Sequence, residues 1–204
     1  ILKDLIAAHP KKQEPRLLLG NIYGETKQYG PMEETLQSTI KDLPDKYAAY
    51  EVLSRYYLSK NEKVKALKLQ EQFISKAGSG PDTRKARMFA ATLLLQDRKP
   101  DEALKHVNDV LKENAKDAQA KVMKGNILAG RRDFTGAIGE YRAVLKEEPG
   151  NIPALLGLAR AHRPLPRRLH PHVIRIRIHH RRPVAVAARP LGSVTVAARI
   201  TFSA

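Results

Sequence analysis

No cysteine and no tryptophan occur in the chain. The missing thiol excludes disulfides and cysteine chemistry, although it does not fix the compartment. Aromatic residues make up 5% and charged residues 28%, a balance that suits an open helical stack. No apolar run reaches the roughly 18 residues needed to span a bilayer. There is no P-loop, no GxSxG and no HExxH, so no catalytic constellation can be assembled and a non-enzyme without a cofactor is expected. Acidic residues are absent from residues 163–204, which carry nine arginines. Residues 1–162 hold 28 Lys and Arg against 21 Asp and Glu. More than half of the net charge of +16 therefore sits in the last fifth of the chain.

What is present is a recurring pattern, clearest over residues 118–151. Two short amphipathic segments flank a tight turn. Small residues stand where two helices would touch: Gly125 and Ala129 in the first segment, Ala137 in the second. Phe134, Ile138, Tyr141, Val144 and Leu145 fill around them, and Pro149 closes the unit. Helix axes approach to about 8–10 Å only where one side chain leaves a hole for another. The first small position recurs as Gly20, Ser54, Ala91, Gly125 and Ala159, at steps of 34, 37, 34 and 34 residues. The second recurs as Met32, Ala66, Ala103 and Ala137. An apolar pair recurs as Leu5–Ile6, Thr39–Ile40, Phe73–Ile74, Val110–Leu111 and Val144–Leu145. The single long step contains GSGPDT and reads as a three-residue insertion in a turn, where stacked repeats tolerate one. Met32 in place of alanine predicts a splayed helix pair.

This pattern resembles the tetratricopeptide repeat. The resemblance implies an all-α, right-handed solenoid of antiparallel helix pairs over residues 1–162. A partial repeat spans 1–12 and complete repeats span 13–46, 47–83, 84–117 and 118–151. The first helix of a further repeat spans 152–162. Ile1 falls inside a second helix, so the sequence reads as an internal piece of a longer protein. The texture of KARMFAATLLLQDRKPDEAL and AIGEYRAVLKEEPGNIPALLGLARAH also resembles long bacterial repeat proteins of the cell envelope, including lipoproteins linked to exopolysaccharide export. That likeness implies a periplasmic or envelope location; without it the segment reads as cytoplasmic.

The family resemblance further implies that first helices line a concave groove through repeat positions five and nine. Position five is held by Leu17, Glu51, Met88, Val122 and Leu156; position nine by Asn21, Arg55, Thr92, Asn126 and Arg160. Four-residue spacing puts each pair on one helix face. The expectation is an exposed apolar strip edged by amides and arginines. Such a strip suits a partner's peptide or helix, including one with acidic side chains. The lysines that clamp acidic chaperone tails in some repeats of this family are missing, because Leu17, Met88, Val122 and Leu156 occupy those places.

After Ala161–His162 the pattern stops. The tail lacks Lys, Asp, Glu, Asn, Gln, Tyr and Met. It admits three readings: an out-of-frame translation, a natural basic tail that binds nucleic acid or an anionic membrane surface, or a small β element with Ile174, Ile176 and Ile178 alternating with Arg175, Arg177 and His179. An irregular or disordered tail is expected, and basic-tail binding is the alternative function. His170, His172, His179 and His180 follow no structural zinc spacing, so no metal is expected. A repeat array needs a polar capping helix. If the tail is foreign, residues 152–162 are left uncapped and open to self-association.

Overall fold

The computed structural model describes residues 1–162, which form ten α-helices and no strand. After α1 (Leu2–Ala8), helices alternate as first and second members of pairs. The pairs are α2 (Glu14–Glu25) with α3 (Tyr29–Asp42), α4 (Tyr47–Ser59) with α5 (Lys63–Lys76), α6 (Pro81–Gln96) with α7 (Pro100–Glu113), and α8 (Ala118–Gly130) with α9 (Phe134–Glu147). Helix α10 (Ile152–His162) opens the next unit.

The turns inside the pairs are built alike. Lys27, Asn61, Arg98 and Arg132 each take a left-handed backbone, with φ of 57°, 61°, 59° and 66°. After each of them, the next backbone N–H reaches back to the last turn of the first helix: Gln28 to Tyr23 O at 2.7 Å, Glu62 to Tyr57 O at 2.8 Å, Lys99 to Leu94 O at 2.8 Å and Asp133 to Leu128 O at 3.0 Å. This is the Schellman closure of a helix C-terminus, satisfying carbonyls that have no partner within the helix. Glycine is the usual residue there, and these four positions do without it.

Between pairs the chain is tied by side-chain caps. Asp117 Oδ1 accepts from Ala120 N at 2.9 Å and Asn151 Oδ1 accepts from Ala154 N at 3.0 Å. Such caps satisfy one orphan donor of the helix they open.

The small positions lie at the helix contacts. Ala66, Ala103 and Ala137 are fully buried, as are Ser54 and Ala91. A Cβ on Gly20 would stand 3.2 Å from Leu36 Cδ2. Met32 is buried beside Gly24, whose Cβ would lie 3.2 Å from the Met32 sulfur, so a glycine on the partner helix makes room for the larger residue. Ala159 is exposed, since no described second helix packs on it.

Two expectations need correction. The insertion at GSGPDT does not lie wholly in a turn: α6 starts at Pro81, with proline at its first position, and is 16 residues long against 13 for α4 and α8. Proline costs little there because its missing N–H would have no helical partner. Nor is position five an exposed apolar strip. Met88 and Val122 are only 7% and 9% exposed. Neighbouring first helices pack side by side and draw apolar residues at this position into their seams. Met88 joins a cluster with Ala91 and Ala120, and Val122 one with Tyr141 and Ala154.

Candidate functional site

The first helices α4 and α6 and the start of α8 surround a cavity of about 430 Å³. Glu51, Arg55, Met88 and Thr92, named from the sequence, come together there. They are joined by Tyr47, Arg84, Lys85 and Phe89, which the position-five and position-nine frame does not select. Pro81 belongs to the wall as well, so the extra residues of α6 build part of the site. The lengthened step at GSGPDT is the sequence signal for Pro81, Arg84 and Lys85.

The floor is held rigid by a buried polar chain. Tyr47 Oη donates to Gln70 Oε1 at 3.0 Å, Gln70 Nε2 donates to Ser54 Oγ at 2.7 Å, and Ser54 Oγ donates to Ala66 O at 3.4 Å. Gln70 and Ser54 are fully buried, so each polar atom in the chain needs its partner. Burial pushes the Tyr47 hydroxyl well above its ordinary pKa, keeping it a neutral donor.

The rim charges are partly satisfied within the chain. Arg55 holds Glu51 through Nη2 at 2.8 Å and Nε at 3.2 Å. Lys85 meets Asp82 at 2.9 Å and Arg84 meets Glu113 at 3.7 Å. Asp117, also lining the cavity, is engaged in capping α8. Three cations and two carboxylates thus face the space, giving it a small positive bias with apolar patches from Met88, Phe89 and Tyr47.

A second concavity of about 340 Å³ brings Asn126 and Arg160 together beside Phe134 and Gly157. Tyr141 reaches it from α9. Its hydroxyl donates to Asn126 Oδ1 at 2.8 Å, and its ring lies against both Gly125 and Gly157. Leu17 is half-buried, Asn21 and Leu156 are exposed, and these three with Val122 line neither cavity. Among the described residues no cluster of three His, Asp or Glu could hold a metal ion, and no helix is long and apolar enough to cross a membrane. The expectations for the tail, including anionic partners and the histidines at 170, 172, 179 and 180, lie outside the described residues.

Residues 90–152 match the family model for the tetratricopeptide repeat. The described residues have the fold of a tetratricopeptide-repeat array. YrrB, described as a TPR protein with an unusual peptide-binding site, is 17% identical, with a TM-score of 0.60 over 78% of this chain and 81% of that one. A tetratricopeptide repeat protein from Parabacteroides merdae is 18% identical, with a TM-score of 0.63 over 72% of this chain and 58% of that one. The first TPR of Spaghetti (RPAP3), bound to the HSP90 peptide SRMEEVD, is 17% identical, with a TM-score of 0.50 over 57% of this chain and 92% of that one. At these identities the likeness establishes the fold of the array. No curated protein matches the chain by sequence.

Proposed function

We propose that this array is a non-catalytic interaction scaffold that holds a partner's peptide or helix against its first helices. The observation that carries the reading is the cavity between α4, α6 and α8. It combines apolar surface from the half-buried Phe89 with the polar groups of Thr92, Gln119 and Arg55. That mixture suits a short segment whose side chain seats on apolar ground while its backbone meets polar groups. The small cationic excess favours a segment with acidic side chains. Solved arrays of the same fold support the reading, one bound to an acidic peptide and one described by its peptide-binding site. This chain lacks the clamp lysines of chaperone-tail binders, so its segment is of another kind.

Thr92 offers a clean test, because it is exposed at the cavity and a larger residue there fills the space without entering the core. Peptides selected from a random library on the full chain should share a motif, and Thr92→Trp should abolish their binding while helix content is unchanged. Selected peptides that bind both proteins equally would sink the assignment of this cavity.

A further inference from the structure

We propose a second docking site, on the second helices, for an acidic peptide segment carrying one apolar anchor. Helices α3 and α5 flank a groove of about 420 Å³ that shares no residue with the first-helix cavity. Lys65, Lys68 and Lys76 line it from α5 and Lys41 lines it from α3. The α5 lysines, spaced three and eight residues apart, share one helix face over about 16 Å. No carboxylate lines the groove. Lys41, Lys68 and Lys76 are exposed and have no acidic partner within 4.0 Å among the described residues. Lys65 is engaged by Glu62 at 2.7 Å and lies 5.2 Å from the centre of the Tyr57 ring. Glu33 is occupied as well: it accepts from Tyr57 Oη at 2.5 Å and from Gln37 Nε2 at 3.1 Å. Three uncompensated ammonium groups therefore stand on two facing walls. An anion placed between them relieves their mutual repulsion.

The floor decides what kind of anion fits. Half-buried Leu69 and the small exposed edge of Ile40 line it as an apolar seat, and Gln37 and Gln72 supply amides beside it. A polyphosphate or nucleic-acid backbone would use the lysines and leave the seat empty. Tyr57, the one aromatic in the groove, has Lys65 Nζ over its ring and its hydroxyl bonded to Glu33, so it presents no free face for stacking a base. A peptide with acidic residues on either side of a leucine uses every element: carboxylates on the lysines, the anchor on Ile40 and Leu69, backbone groups on the amides.

The test uses the full chain and a fluorescent peptide of aspartates and glutamates around one leucine, followed by anisotropy at low salt. Lys68→Glu combined with Lys76→Glu should weaken binding about tenfold, because two attractions become repulsions. The milder pair Lys68→Gln and Lys76→Gln should fall between. The double-glutamate change should weaken binding by the same factor in the Thr92→Trp background, where the first-helix cavity is filled, which separates the site from that cavity. Replacing the peptide's leucine by serine should weaken binding about threefold or more. Wild-type affinity in the double-glutamate variant, with its melting temperature unchanged, overturns the site and shifts the binding to the arginine-rich tail or the first helices. An oligonucleotide or anionic vesicle that binds through these lysines where the peptide does not also overturns it.

Discussion

Tyr141 shows how much a single position decides in this stack. Its ring lies where a Cβ on Gly125 would come within 2.6 Å of Cε1, and a Cβ on Gly157 within 2.5 Å. Two glycines on successive first helices thus share one tyrosine from the helix between them. Gly125→Ala or Gly157→Ala must displace the ring and stretch its bond to Asn126. We expect either change to destabilise the protein by about 1–3 kcal/mol, read from urea unfolding. Gly139→Ala is the contrast. Gly139 lies inside α9 with open space around it, so alanine there should stabilise by about 0.5–1 kcal/mol through helix propensity alone. Equal effects at Gly139 and Gly125 would show that the packing argument is wrong. The smallness of Gly125 was legible in the sequence. Gly157 was not, because the repeat frame assigned the contact to Ala159, which has no described second helix to meet.

At the scale of the element, α7 couples the fold's stability to pH. His106 is partly buried on α7 with Arg87, Glu71, Asp109 and Glu102 around it. Burial, and then the Arg87 charge, hold its pKa below the ordinary 6.5. A histidine depressed in the folded state stabilises the fold fully above its unfolded pKa and loses that contribution as pH falls. The melting temperature should therefore drop between about pH 7 and pH 5, and His106→Gln should flatten that drop. An unchanged slope in the variant would remove His106 from the account. Helix pairing and the small contacts could be read from periodicity, because each is fixed by a local rule of spacing. The site could be read only in part. Glu51, Arg55 and Thr92 follow the frame, whereas Arg84, Lys85 and Pro81 enter through the lengthened start of α6. Whether Met88 faces a groove or a seam depends on how closely neighbouring first helices lie, and no pattern within one helix encodes that distance.

At the scale of the whole molecule, each helix is stabilised chiefly by its neighbours, so protection should vary along the stack. Helix α10 leaves Ile152 67%, Leu155 46% and Leu156 52% exposed. Amide exchange should be fast over residues 152–162 and slow over 84–146, by mass spectrometry on the full chain. Uniform protection would mean that α10 is covered. The lengthened α6 also has a consequence for how such a chain is to be compared with others. Two trains of repeats run in step on either side of it, offset from each other by three residues. Any comparison that assumes a constant period will align one train and lose the other; the family match, over residues 90–152, lies wholly beyond the join. Among the described residues, the join is a place that no shift by a whole repeat reproduces, and so a place where a partner distinguishes one unit from the next.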